Sequence, residues 1–323
     1  MSQEDSGINM FVMTRNSVFA SVDVSMEVQP DLQTFWDLQS IGITNKIEVS
    51  NDEKAMQRFR DTLKFENGRY QDTWPSRREE EFYLPVNRQL ANGRLKSSVS
   101  RLGSKLELME KYNNVIEDQL RKGIIEKKNT TKLRVVYDAS AKTRKQNLSL
   151  NECMYRGPVI LQDLCGMLIR FRIYTVALVA DIEKAFLQIG LEPGQRDVTR
   201  FLWLKDYTEP IVDARNIQEF RFFRVPFGII ASPFILGATI QCHLESYSNE
   251  IAEKVKNNIY VDNLITGTSS DYVGCEFYDK TKEMFGEASM NLREWATNSE
   301  MVNKYISEAD RADAASLTVL GLC

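Results

Sequence analysis

The stretch Ile173 to Gly190, IYTVALVADIEKAFLQIG, constrains this chain more than any other. Residues Tyr174 to Ala180 are mostly β-branched or apolar and read as a strand buried on both faces, yet the run ends on a carboxylate, Asp181. An acid at the end of a buried strand is costly unless it pairs with a cation or binds a metal, so Asp181 needs a partner. The best match lies downstream in NNIYVDNLITG. There a second short β-rich run, Asn258 to Val261, ends in Asp262 and Asn263 and resumes with Leu264 to Thr266, which reads as strand, tight turn, strand with an acid at the tip. Two such acids on neighbouring strands form an oxygen-ligand site for a hard divalent cation, most simply Mg2+, with Mn2+ as the alternative. The chemistry that follows is two-metal phosphoryl transfer. Taken singly, a strand-terminal Asp reads first as a turn former or helix N-cap. The ordered set of motifs changes that reading.

Three segments occur in order: D-x-x-x-A-F-x-Q-I at Asp181 to Ile189, V-P-F-G-x-x-x-S-P at Val225 to Pro233, and Y-V-D-N at Tyr260 to Asn263. Together they resemble motifs A, B and C of a reverse transcriptase. RVVYDASAKT at Arg134 to Thr143, LPVNRQLANGRLKS at Leu84 to Ser97 and the terminal VLGLC resemble, more narrowly, the Pao (BEL/Pao) family of LTR retrotransposon polyproteins. The similarity runs from about Leu32 to the last residue. It implies an α+β right-hand polymerase palm, an antiparallel sheet backed by helices, with incomplete fingers and no thumb. It also implies RNA-directed DNA synthesis on an RNA or DNA template-primer from deoxynucleoside triphosphates.

Carried residue by residue, the resemblance implies that Asp181 and Asp262 bind two Mg2+ or Mn2+ ions. Arg134 would hold the incoming triphosphate, a role suited to the planar guanidinium fork. Phe186 would be the steric gate against a ribose 2′-OH, with a plain core Phe as the other reading. Phe227 and Gly228 would shape the nucleotide pocket, with Phe227 facing the templating base pair, and Tyr260 matches the active-site aromatic. Asn263 departs from the pattern at a catalytic position: its amide oxygen can still ligate a hard cation but carries no charge, so metal affinity should fall unless the second acid is dispensable. Asp-Asn also occurs in some viral right-hand polymerases. The alternative, from a different class, is an inactive relic or co-opted protein that binds nucleic acid or a partner.

Charge is where composition enters. The net charge is −4, but Arg121 to Lys145 carries nine Lys or Arg against two acids, and Pro85 to Lys105 carries five basic residues and no acid. Local excess of this kind is what phosphate-backbone binding needs, a solvated helix face being the plainer reading. With 43% hydrophobic residues the chain can bury a core. No run of 18 apolar residues occurs and the first 30 residues carry Asp, Glu and Arg, so the expectation is no membrane span, no secretory signal and a soluble chain in the cytoplasm. Five cysteines without C-x-x-C spacing read as buried thiols, and the single histidine, His243, cannot make a zinc site or a Ser/His/Asp hydrolase.

In chain order, residues 1–30 form an unassigned leader, 31–85 a polyprotein linker, 86–172 the fingers region and 173–323 a palm truncated at the primer-grip hairpin. Leu32 to Ile43 reads as an amphipathic helix, Asn51 to Leu63 as a helix capped by Asn51 or Asp52, and Phe65 to Tyr70 as a hairpin about Asn67-Gly68. Asn87 to Lys122 has an interrupted helical stripe. After Gly123 to Glu126 a fingers strand looks deleted relative to the family, leaving Lys132 to Tyr137 as the surviving one. Pro158 to Arg172, Ser232 to Tyr247 and Asp271 to Ala288 read as helices, and Thr199 to Leu204, Glu219 to Val225 and Met290 to Trp295 as strands. Leu317 to Leu322 matches the start of the primer-grip hairpin.

Overall fold

The structure is a computed structural model and describes residues 49–77, 84, 87–103, 105–128 and 139–312. The expected helix at Leu32 to Ile43, the strand at Lys132 to Tyr137 with Arg134, and the segment Leu317 to Leu322 lie outside the described residues. Helix α1 (Val49–Thr62) leads into strands β1 (Lys64–Glu66) and β2 (Arg69–Asp72). These pair antiparallel about Asn67 (φ 53) and Gly68 (φ 70), the two positive-φ residues a two-residue type I′ turn demands. Asn51 and Asp52 do not cap α1: the helix already begins at Val49, so both sit in its first turn, where the Asp52 charge favours the positive end of the helix dipole.

Helices α2 (Arg88–Leu102) and α3 (Leu106–Arg121) break at Gly103, and β3 (Ile125–Lys128) follows. The sequence reading assigned no strand to β3. It forms because its partner β7 (Ile217–Phe222) lies alongside, the two running antiparallel, with β6 (Arg200–Leu204) on the far side of β7. This three-stranded sheet closes a smaller core with α2 and α3, in which Phe201, Trp203, Phe220, Met109 and Ile116 are buried. Its polar edge is a charge network: Arg221 pairs with Glu126 and Asp197, and buried Arg200 pairs with Asp197 and, at 3.2 Å, with Glu219.

The palm sheet has the order β10-β4-β9-β8 and is antiparallel throughout: β4 (Val176–Ile182), β8 (Ile259–Tyr260), β9 (Asn263–Thr268), β10 (Leu292–Thr297). The expectation that the first palm strand is buried on both faces is corrected here. In β4, Val176, Leu178, Ala180 and Ile182 are fully buried, while Ala177, Val179 and Asp181 are half-buried, the alternation of a sheet with helices on one face only. Helix α4 (Leu164–Phe171) packs against β9, and α7 (Asp271–Glu287) against β4, β9 and β10. Helices α5 (Ser232–Glu245), α6 (Glu250–Lys256) and α8 (Glu300–Tyr305) complete that layer, and the larger core beneath the sheet holds Leu178, Ile182, Phe285, Leu292 and Trp295. A third small sheet adds β5 (Gly190–Leu191) parallel to β2.

Helix α4 is shorter than the span Pro158 to Arg172 read from the sequence. Asp163 ends the extended approach and caps the helix, its carboxylate accepting from the Cys165 N–H at 3.1 Å and the Gly166 N–H at 3.0 Å. Of the thiols, Cys153 and Cys275 are buried as expected, whereas Cys165 and Cys242 are exposed on helix faces turned from the core; Cys323 lies outside the described residues. No helix among the described residues is long and apolar enough to cross a membrane.

Candidate active site

The site sits where β4 and the β8–β9 turn meet. Asp181 is the penultimate residue of β4 and faces Asn263 of β9 on one side and Arg293 of β10 on the other. The next residue locks the two acidic segments together: the Ile182 N–H donates to the Asp262 carbonyl at 2.9 Å. The turn is tight because Val261 takes a left-handed conformation (φ 58), costly for a β-branched residue, which puts Asp262 at the tip and returns Asn263 to pair with Tyr260. The Asn263 side-chain NH2 donates to one Asp262 carboxylate oxygen at 2.9 Å.

Both carboxyls are held above their ordinary range. For Asp181 burial is the main cause, with the Asp262, Glu294 and Glu183 charges adding to it and Arg293 opposing, and the result is pushed up to about 7. For Asp262 burial raises the carboxyl and the Asn263 hydrogen bond offsets part of the rise. No ion pair to either acid occurs among the described residues. Arg293, the cation opposite Asp181 across the sheet, is held by Glu183 at 3.5 Å and Glu294 at 3.3 Å. Among the described residues no group of three or more His, Cys, Asp or Glu is arranged to hold a metal ion. The donor set is therefore this pair of carboxylates with the Asn263 amide beside it, hard oxygen ligands in no ion pair among the described residues, which fits a divalent cation.

The aromatic and glycine positions gather nearby. Phe186 lies in a 3-10 turn (Ala185–Gln188) just after β4, is 5% exposed, and packs against Phe227 with ring centroids 4.1 Å apart and planes at 51°. Phe227 itself is 41% exposed, and Gly228 follows at φ 83. Their turn is anchored by the hydroxyl of Ser232, the first residue of α5, which donates to the Pro226 carbonyl at 2.7 Å. The chain thus brings Asp181, Asp262 and Asn263 together and, separately, Phe186 against Phe227 and Gly228. Arg134 lies outside the described residues, and His243 is a core residue bridging the Tyr70 hydroxyl at 3.2 Å and the Met284 carbonyl at 2.7 Å. Sequence reasoning did not find Arg293 or Glu294, since only the strand pairing of β10 brings them to Asp181, nor Glu183, which lies two residues beyond Asp181 and gave no signal of its own. It also missed Asp72, whose 1% exposed carboxyl is raised to about 7 by burial despite the Thr62 hydroxyl donating to it at 2.7 Å.

Residues 125–298 match the family model for reverse transcriptase (RNA-dependent DNA polymerase). Among solved structures, the chain is similar to the prototype foamy virus protease-reverse transcriptase, with 15% identity over 68% of this chain and 25% of that one and a TM-score of 0.40. It is likewise similar to the foamy viral protease-reverse transcriptase in complex with RNA/DNA hybrid, with 14% identity over 85% of this chain and 34% of that one and a TM-score of 0.44. The chain spans between 25% and 34% of the length of these two proteins. No curated protein matches it.

Proposed function

The chain belongs to the reverse transcriptase (RNA-dependent DNA polymerase) family, and from that premise we propose that it carries the nucleotidyl-transfer site of a Pao-type retrotransposon polymerase, using Mg2+ or Mn2+. The observation that carries this reading is the pair Asp181 and Asp262, joined through adjacent strands, both carboxyls raised by burial and neither ion-paired among the described residues. These two residues would hold the ions, with the Asn263 amide as an uncharged neighbour. When bound, such ions lower the pKa of an attacking hydroxyl and stabilise charge on the attacking and leaving oxygens.

The rest is done by the chain itself. Phe186, packed against Phe227, would act as the steric gate that excludes a ribose 2′-OH and so selects deoxynucleoside triphosphates. Gly228 leaves the backbone open to close approach, and Arg134 would grip the triphosphate. A template-primer of RNA or DNA would lie across the exposed rim that includes Phe227. Because the Asp181 carboxyl titrates at about 7, a proton competes with the cation there, and metal affinity should strengthen as pH rises through that value.

A thermal-melt titration with Mg2+ and Mn2+, run beside single-nucleotide primer extension on an RNA template, tests the reading. We expect a cation-dependent rise in melting temperature, larger at pH 8 than at pH 6 and mostly lost in Asp262→Asn, with incorporation of dNTP in preference to rNTP. A wild-type chain that shows neither a cation response nor incorporation sinks it.

A further inference from the structure

Three arginines converge around β5, and among the described residues none of them forms an ion pair. Gly190 pairs with Gln71 of β2 on one side and bridges to Arg224 on the other, so one short strand gathers the β1–β2 hairpin and the exit of β7. Arg69, at the start of β2, donates from Nη1 to the Gln188 carbonyl at 2.6 Å and to its side-chain oxygen at 3.1 Å. Arg196 donates from Nε to the Leu191 carbonyl at 2.8 Å and lays its guanidinium 3.5 Å from the centre of the Phe223 ring. Arg224 flanks the same ring at 5.9 Å, and its Nε is buried with no hydrogen-bond partner among the described residues.

Carbonyls and a ring face orient a guanidinium without removing its charge. The two acids within reach of Arg196 are engaged elsewhere: Glu192 by Gln71 at 2.7 Å and Lys64 at 3.5 Å, and Glu126 by Arg221. Arg224 is accordingly drawn down to about 10, by burial first and then by the Arg69 and Arg196 charges, with no acid opposing. Holding like charges together in this way costs stability unless an anion completes the cluster.

We propose that Arg69, Arg196 and Arg224 form a phosphate-binding site that takes the phosphodiester backbone of a nucleic acid strand. Arg196, 6% exposed, is the floor, and the half-buried Arg69 and Arg224 are the rim that meets the ligand. The planar forks suit phosphate oxygens bidentately, and the site reads charge rather than bases. The choice of nucleic acid over a free phosphate compound rests on the polymerase reading above, whereas the site itself does not involve Asp181 or Asp262.

The test is fluorescence anisotropy of the full chain with two labelled RNA/DNA hybrids of unrelated sequence, in EDTA, over a range of salt concentration. Arg224→Gln should weaken both hybrids by the same factor, roughly tenfold for one charge-assisted contact. The slope of log affinity against log salt should fall by about 1. Its melting temperature should hold or rise, because the group removed is a like charge with an unpaired Nε, while Arg224→Lys should recover part of the affinity. Should Arg224→Gln melt low, Arg69→Gln at the rim carries the same expectation. An unchanged salt slope in a folded variant overturns the site, as does loss of pyrophosphate or inorganic phosphate binding with hybrid binding intact, which would make the ligand a free phosphate compound. Because EDTA removes the cation, an arginine effect without a Mg2+ response defeats only the polymerase reading, and the converse defeats only this site.

Discussion

A buried carboxyl stores its own pH dependence. Asp181 and Asp72 both titrate near 7 in the folded chain, against 3.8 for an ordinary Asp, and in both cases burial is the first cause. Since the folded values are raised, the folded state favours the protonated forms: their contribution is full below about pH 4 and is lost as pH rises through about 7. We therefore expect the metal-free melting temperature to fall between pH 4 and pH 7. Asp181→Asn and Asp72→Asn should each raise it by a few degrees at pH 8, leave it unchanged at pH 4, and differ in that only Asp181→Asn loses the Mg2+ response. Asn263→Asp should act oppositely, lowering the metal-free value and enlarging the gain with metal. Melts in chelator across that range check this, and a flat profile for wild type defeats it. The Asp181 acid was legible in the sequence because a charge closing an apolar run is anomalous on its face. Asp72 was not, because a polar β-hairpin strand becomes buried only when β5 and α1 close over it.

At the scale of elements, local chemistry decided boundaries more sharply than hydrophobic period did. The Asp163 cap sets where α4 begins, overriding the apolar residues upstream of it. Asp163→Ala should cost about 1 kcal/mol and lower the melting temperature by a few degrees, the usual worth of a helix N-cap. A change within error would show the helix start to be held by packing of Met167 alone. The β8–β9 turn was readable from YVDN, yet its left-handed Val261 was not, since strain at a β-branched residue is imposed by the pairing of Tyr260 with Asn263 and of Asn263 with Asp181. Strand β3 went unread for the same kind of reason: Glu126 and the lysines after it have little strand propensity, and only β7 supplies their hydrogen-bond partners.

At the scale of the whole molecule, the described residues form two hydrophobic cores, one under the palm sheet and one between α2, α3 and the β3-β7-β6 sheet. Phe201, 0% exposed and in ring contact with Phe220 and Phe222, belongs to the smaller. Phe201→Ala should cost about 3–5 kcal/mol and split thermal unfolding into two transitions, the later one keeping its Mg2+ shift; a single transition displaced as a whole would show the cores to be one cooperative unit. The sequence by itself determined the α+β class, most of the palm elements and the identity of the paired acids, because period, turn residues and an out-of-place charge are properties of short segments. Only the tertiary structure decided that one face of β4 is less buried than the other, that Phe186 meets Phe227, that Arg293 reaches Glu183, and that Arg196 is brought to the Phe223 ring beside Arg224. Each of those depends on strand register between segments far apart in the chain, and register is settled by packing and hydrogen bonding across the sheet rather than by any residue's neighbours in sequence.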